Sequence, residues 1–232
     1  MRYLSIVFSV WAASLCAQHL TYNEWLLRAM ADKRLQPCYG EQEKTAEQQQ
    51  SDAEFLALAM AEDSVPRSVS DKLVDHGAQL LKNGEFPAAM MRFNQAWLVD
   101  SSSSRPFWGF GTFFMLLDRP AVAFQWYKRG LDLDSANVQL LDAMAVALLA
   151  EHHGTDAAST DRRNDLASAA LSLAQRANAI DPDNGAVVYR LSICHLLRGE
   201  CDEALRFSKR CKMLPSCPME SGFMERLRRE CP

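Results

Sequence analysis

The chain has 232 residues, of which 48% are hydrophobic, so it is long enough to bury a sizeable core in one or two domains. Its formal net charge is −4, and its lysines and arginines are scattered without a basic stripe, which argues against nucleic acid as a partner. It contains no glycine-rich phosphate loop and no Ser or Cys in a recognisable nucleophile motif, so the sequence favours a non-enzyme.

Residues 1–17 predict a signal peptide. Arg2 is a minimal basic head, residues 3–15 form an apolar run too short to span a bilayer, and an acceptable cleavage site precedes Gln18. We therefore expect a periplasmic or otherwise exported chain that begins near Gln18. Two alternatives stay open. Cys16 is a possible lipid anchor in the envelope, although the residue before it is large for such a signal, and the N-terminal helix could remain uncleaved.

Residues 18–69 predict two helices that precede the rest of the fold. The first runs from Asn23 to Leu35 with Trp25 on its apolar stripe, and a Gln-Pro-Cys-Tyr-Gly stretch ends it. The second begins at a capping box formed by Thr45 and Gln48 and runs to about residue 62. A proline-containing turn then leads into the central part of the chain.

The central part of the chain repeats itself. Ala89 and Ala123 are equivalent and lie 34 residues apart, and Gly77 aligns with Gly111 in the same register. Small residues at recurring positions let two antiparallel helices approach closely. The third unit matches only if 13 extra residues are placed in an inserted polar loop at 152–164. The four units are 70–103, 104–137, 138–184 and 185–216.

This pattern of glycine, aromatic and alanine positions resembles the tetratricopeptide repeat (TPR). The resemblance implies an all-α superhelix of about four helix pairs, in which the first helix of each pair lines a groove that holds a peptide. The stretches Met91–Trp97 and Phe107–Gly111 are also similar to a group of small exported bacterial TPR proteins. That likeness supports an envelope location and implies no mechanism.

The second, fifth, ninth and twelfth places of each repeat are expected to face the groove, and most of them are apolar. The candidate partner-binding residues are Val74, Leu81, Trp108, Thr112, Met115, Asp142, Val146, Leu149, Tyr189, Ile193 and Leu196. Trp108 and Tyr189 are the expected aromatic anchors. The lysines and asparagines that would clamp a terminal carboxylate do not occupy these places.

Something must cover an apolar groove, because large exposed apolar patches are rare on soluble monomers. The N-terminal helices, through Trp25, Leu26, Phe55 or Leu58, could close it and make a self-capped structural protein. An apolar or amphipathic segment of another protein is the second interpretation, and a homodimer is the third. We predict a non-catalytic scaffold of the bacterial cell envelope that binds an unknown protein or peptide.

Residues 217–232 predict a helix that caps the last repeat. It should run from about Pro218 to Glu230, antiparallel to the helix before it. That preceding helix carries Cys201 and Cys211 near its two ends, about 15 Å apart, which is too far for a mutual bond. The expected disulfides are therefore Cys211 with Cys217 and Cys201 with Cys231. The apolar residues that the cap should bury are Phe223, Met224 and Leu227.

Cys38 and Cys194 are left over, either as a third bridge or as two free thiols. Zinc is disfavoured because the chain has no C-x-x-C pair and only five histidines. His152 and His153 in the inserted loop would serve a metal-dependent hydrolase, a weaker hypothesis because a loop holds catalytic geometry poorly. His195 is expected to be a core imidazole. We therefore expect no metal, no cofactor and no catalysis.

Overall fold

The computed structural model describes residues 20–61 and 63–231, and in those residues it contains α-helices and no strand. The predicted signal peptide and Cys16 lie outside the described residues. No helix in the described part of the chain combines the length and the apolar character that crossing a bilayer requires. The α-helices are α1 (Tyr22–Ala31), α2 (Ala46–Ala59), α3 (Pro66–Lys82), α4 (Phe86–Val99), α5 (Arg105–Leu116), α6 (Pro120–Leu133), α7 (Val138–Gly154), α8 (Thr160–Ile180), α9 (Gly185–Leu197), α10 (Cys201–Met213) and α11 (Phe223–Glu230).

Eight of these helices form four pairs: α3 with α4, α5 with α6, α7 with α8, and α9 with α10. Each first helix also contacts the first helix of the next pair, so α3, α5, α7 and α9 form one layer and their partners form the other. The prediction of an all-α TPR superhelix is confirmed. The recurring alanines have no exposed surface, as close contact between paired helices requires. They are Ala89, Ala123, Ala170 and Ala204.

Glycine is needed where the paired helices come closest. A Cβ atom on Gly77 would overlap the ring of Phe93, and one on Gly111 would overlap the ring of Tyr127. Both aromatic rings lie on the second helix of the same unit and are buried. The aligned Gly and aromatic positions of the repeat therefore form a single contact, in which the missing Cβ makes room for the ring.

The third unit differs from its prediction. Helix α7 continues to Gly154 and α8 begins at Thr160, so only residues 155–159 connect them and the extent predicted for the loop at 152–164 is wrong. Most of the extra residues lengthen the two helices instead. Thr155 ends α7 by donating its hydroxyl to the carbonyl of Glu151, 2.7 Å away. The polar residues that suggested a loop are compatible with an exposed helix, because arginine has high helix propensity.

Two other boundaries also shift. Helix α3 begins at Pro66, four residues before the first predicted unit, because proline at the first helical position has a suitable φ and lacks only an amide that would be unpaired there. Helix α11 begins at Phe223 rather than near Pro218. Gly222, which precedes it, has a φ of 91°, and this left-handed conformation interrupts any earlier helix.

The N-terminal region packs on α4, α5 and α6 of the first two units. The segment between α1 and α2 contacts α4, where the amide of the buried Asn94 donates to the carbonyls of Arg34 and Gln36, each at 2.8 Å. Trp25 of α1 is buried with its ring centroid 4.4 Å from that of Phe113. The capping box of Thr45 that opens α2 is present, although α2 itself buries no side chain.

The C-terminal end is closed by α11 and two disulfides. Cys201 is joined to Cys231 and Cys211 to Cys217, with Cα–Cα distances of 5.5 and 5.3 Å, which are the pairs that an antiparallel cap requires. Phe223 and Leu227 are buried, and Met224 is partly buried. Of the cysteines in the described part of the chain, Cys38 and Cys194 are buried and free, and burial raises the pKa of each thiol to about 12.

Candidate functional site

A cleft of about 550 Å³ lies on the inner face of the second, third and fourth units. Its walls come from the first helices α5, α7 and α9, and the α6 residue Tyr127 contributes from the second layer. The lining residues are Trp108, Thr112, Met115, Tyr127, Val138, Gln139, Asp142, Ala143, Val146, Asn184, Ala186 and Val187. We refer to this cleft, lined by these residues, as the inner groove.

Five predicted binding residues meet in the inner groove. Trp108, Thr112 and Met115 lie on α5, and Asp142 and Val146 lie on α7. All five are partly exposed, so a ligand in the groove can touch them. An indole, a thioether and a valine in one concavity form an apolar surface, while the threonine and aspartate provide the polar positions that orient a ligand.

Five other predicted binding residues are packing residues instead. Each exposes less than a tenth of its surface because a neighbouring helix covers its position. They are Val74, Leu81, Leu149, Tyr189 and Leu196. Ile193 is partly exposed but lies outside the groove lining. The positional rule for a repeat identifies the side of a helix, whereas the neighbouring helix decides how much of that side solvent can reach.

Tyr189 shows this clearly, and its predicted role as an exposed anchor is wrong. The ring of Phe223 on the capping helix lies edge-on to it with a centroid distance of 5.0 Å, and Tyr189 is 5% exposed. Trp108 is therefore the aromatic residue that the groove presents from a first helix. The repeat pattern does not indicate that α11 covers this tyrosine, because the cap has no repeat partner with which to align it.

Tyr127 is a groove residue that the repeat rule misses. It lies on a second helix, and its hydroxyl reaches the groove at 3.3 Å from the hydroxyl of Thr112. Burial raises the pKa of Tyr127 to about 12, and either hydroxyl of this pair can be the hydrogen-bond donor. The signal in the sequence was the pairing of this ring with Gly111, whose missing side chain lets the ring cross between the helices.

The N-terminal helices lie elsewhere. No residue of the described segment 20–61 lines the inner groove. Trp25 and Leu26 line a separate cleft with Trp126 of α6, Phe55 lines another beside α4, and Leu58 is 76% exposed. The expectation that these residues close the groove is therefore wrong for the described part of the chain. That region packs instead on the second helices α4 and α6 and on Phe113 and Phe114 of α5.

The charges near the groove are arranged in two groups. On the floor, Nε of Arg190 donates to Oδ1 of Asp142 at 3.1 Å, and each side chain is 18% exposed. Three residues before Trp108 on α5, at a position that we call the edge of the groove, the guanidinium of Arg105 lies between Asp71, at 3.2 Å, and Asp75, at 2.6 Å. Of the residues that line the groove, Asp142 alone carries a charge at neutral pH.

His152, which the sequence places in a loop, lies in the last turn of α7, where it is buried. Its ring lies edge-on to that of His153 at 5.6 Å, its Nδ1 has no hydrogen-bond partner in the described residues, and burial lowers its pKa. The described residues contain no group of three or more His, Cys, Asp or Glu side chains placed to hold a metal. His195 is also buried, stacked on Phe207 and hydrogen-bonded to Glu200 at 2.6 Å.

Comparison with known proteins establishes the fold. No protein-family model matches the chain, and no curated protein matches it by sequence. The structure is similar to TTC0263, a thermophilic TPR protein of Thermus thermophilus, with 17% identity, a TM-score of 0.57, and coverage of 70% of this chain and 79% of that one. At this identity the likeness shows a shared TPR fold.

Two further structures align over most of their own length. MamA has 13% identity and a TM-score of 0.47, and the alignment covers 74% of this chain and 95% of MamA. PilF of Pseudomonas aeruginosa has 14% identity and a TM-score of 0.33, and the alignment covers 70% of this chain and 86% of PilF.

Proposed function

We propose that this chain is a non-catalytic scaffold of the bacterial cell envelope that holds a segment of another protein in the inner groove. The observation that carries the proposal is that the groove is lined mainly by apolar side chains around Trp108. No residue of the described segment 20–61 lies in it. Apolar concavities with a few polar groups are the usual binding sites of proteins. Stacked helix pairs form such a concave surface because each pair is slightly rotated relative to the one before it.

The shape of the groove favours a peptide over a compact small molecule. It crosses three helix pairs rather than forming an enclosed chamber, and residues from α5, α7 and α9 contact the same space. An extended or helical segment can lie across successive first helices and place one side chain against each. Trp108 at the end nearest the first unit would be the anchor of such a segment.

The envelope location is supported by cysteine chemistry and by the N-terminal sequence. Two disulfides at the C-terminal end are typical of proteins from oxidising compartments, which include the periplasm. The basic residue followed by an apolar run at the start of the chain is typical of an export signal. A fusion of residues 1–30 to a periplasm-dependent reporter enzyme tests this part of the proposal, and an inactive reporter would contradict it.

Site-specific photocrosslinking in the native envelope tests the groove. A crosslinking amino acid is placed at Gln139, which is exposed and lines the groove, and at Gln125, which is exposed on α6 outside it. We expect a discrete adduct from position 139 that is missing from position 125 and is lost when Trp108 is replaced by alanine. An adduct at twice the mass of the chain identifies a homodimer.

Identical adducts from the two positions, or adducts that survive Trp108→Ala, would contradict the proposal. Circular dichroism of each variant serves as the control, because a folded Trp108→Ala protein must retain the helical signal of the parent. Trp108 is only partly buried, so its truncation should leave the array intact.

A further inference from the structure

We infer that the segment bound in the inner groove is cationic, with a lysine or arginine side chain next to its apolar residues. This inference rests on the proposed function, since it specifies the chemistry of the partner in the same groove. It is carried by Asp142, which lines the groove, by the two aspartates that flank Arg105 three residues from Trp108, and by the arginines that are already paired with these carboxylates.

The floor of the groove presents a carboxylate. Asp142 is the charged residue in the lining, and Arg190, which neutralises it, is not part of that lining. One oxygen of Asp142 accepts from Arg190 at 3.1 Å. A ligand lying on Val146 and Trp108 therefore meets the aspartate in the lining, whereas the guanidinium that pairs with it is not a lining residue.

The edge of the groove has more negative than positive charge. Asp71 and Asp75 on α3 share the single guanidinium of Arg105, so this group carries a net charge of −1 at neutral pH. Asp71 Oδ1 lies 3.2 Å from an Arg105 nitrogen, but it is buried and has no hydrogen-bond partner among the residues that the structure describes. The side chain of Asp75 is 68% exposed, which leaves it accessible to a ligand.

The acidic edge adjoins the apolar anchor. Arg105 and Trp108 are three residues apart on α5, so they are neighbours on one helix face, roughly 5–6 Å apart at Cβ. A segment that places an apolar side chain on Trp108 would bring an adjacent residue within reach of Asp75. The nearest lysine on α3 is Lys72, which already pairs with Asp63 at 2.7 Å.

The same geometry disfavours an acidic partner. Both guanidiniums beside the groove, those of Arg105 and Arg190, are engaged by aspartates, so a carboxylate ligand would have to break an existing pair. Lys82 lies at the far end of α3, seven residues and roughly 10 Å along the helix from Asp75. At physiological salt, a separation near the Debye length of about 8 Å leaves little attraction between exposed charges.

The test uses three synthetic 14-residue amphipathic peptides that share the same leucine and phenylalanine positions. Their polar positions carry lysine, glutamine or glutamate. Binding to the purified chain is measured by fluorescence anisotropy at 50 and 300 mM salt. We expect the order lysine, glutamine, glutamate, with roughly a threefold to fivefold change in Kd for each exposed pair formed or lost. The preference should shrink at high salt because screening weakens exposed charges.

Two matched variants locate the effect. Asp75→Asn removes one exposed, ion-paired carboxylate beside the groove, and Asp132→Asn removes one from the pair with Lys128 on α6, away from it. Asp75→Asn should reduce the preference for the lysine peptide over the glutamine peptide by roughly threefold, and Asp132→Asn should leave it unchanged. Equal weakening by both variants would overturn the inference, since it would show a general charge effect.

The outcomes separate the inference from the proposed function. If all three peptides bind equally and Trp108→Ala abolishes binding, the groove binds peptides but does not select cations, and the inference fails alone. If the glutamate peptide binds most tightly, the inference is also wrong. If none binds, or if Trp108→Ala binds each peptide as the parent does, the proposed function fails together with the inference.

Discussion

The two ends of the repeat array are closed by different means. At the N-terminal end, residues 20–61 pack on α4, α5 and α6 through one large buried side chain, Trp25, and through hydrogen bonds from Asn94. At the C-terminal end, the short helix α11 buries Phe223 and Leu227 and is tied down by two disulfides.

The two terminal regions differ in how much surface each can pack against the repeats. Helix α11 spans only Phe223–Glu230, so it can bury few side chains, and covalent bonds compensate for the small contact. The N-terminal region is longer and contacts α4, α5 and α6, and its two cysteine-free helices rely on packing. An exposed apolar end is avoided in both cases, as repeat arrays require.

The largest effect is expected at the N-terminal end. Trp25→Ala removes a side chain that is 1% exposed and should lower the free energy of unfolding by about 4 kcal/mol. Leu27→Ala, on the same helix but 70% exposed, is the control and should change it by less than about 0.5 kcal/mol. Urea denaturation followed by circular dichroism measures both. Equal effects would show that α1 is not packed as the structure has it.

The C-terminal disulfides should differ from each other in strength. Cys201→Ser with Cys231→Ser opens a bridge of sequence separation 30 and should cost about 3.5 kcal/mol, because a long loop in the unfolded chain is released. Cys211→Ser with Cys217→Ser opens one of separation 6 and should cost about 2 kcal/mol. Thermal unfolding without reductant measures the difference, which should vanish in excess dithiothreitol. A larger loss from the shorter loop would contradict the entropic account.

A variant at Asn94 tests how much the hydrogen bonds contribute to holding the N-terminal region. Asn94→Ala leaves the carbonyls of Arg34 and Gln36 without their amide donor and should cost about 2 kcal/mol. Hydrogen exchange should show faster exchange in residues 33–41 and no change in α11. Asn83→Ala, at an exposed position, is the matched control. Unchanged exchange in 33–41 would mean that Asn94 does not hold this segment.

The smallest effect is expected in the third unit, away from both ends, when the pH is lowered. Burial lowers the pKa of His152 in the folded state, so the folded chain binds fewer protons there than the unfolded chain. Stability is therefore fully present above the unfolded pKa of about 6.5 and declines as the pH falls below it. Hydrogen exchange at pH 7.5 and 5.5 should show local loosening at the ends of α7 and α8.

His152→Gln should abolish this pH dependence, and His153→Gln, at an exposed neighbouring position, should retain it. Loosening at α11 or α1 instead of α7 would locate the titration elsewhere.

Much of the fold could be predicted from local patterns. The period between Ala89 and Ala123 predicts the helix pairs because contact between paired helices depends on residue size at fixed positions. The disulfide pairs also follow from helix geometry, since only an antiparallel cap can bring Cys201 to Cys231. The helical extent of the inserted segment could not be predicted, because exposed helices and loops have similar polar composition. The long helices α7 and α8 pack on each other there, and composition does not reveal that contact.

The candidate site was harder to predict. Trp108 and Val146 were found because their repeat positions face inward, whereas Tyr189 was misassigned because burial depends on a helix outside the repeat. Tyr127 was missed because its side chain passes between layers. The location of the N-terminal helices was misjudged for the same kind of reason, since apolar stripes show that a helix packs but not which surface receives it.

The spacing of residues along the chain is sufficient to predict the helical class, the pairing of helices and the side of each helix that faces inward. These properties depend on contacts between residues at fixed spacing along the chain. The folded chain is needed to show which inward positions remain open to a ligand, where residues 20–61 lie, and which arginine pairs with which aspartate. These depend on contacts between distant segments, and no periodicity records which distant segments meet.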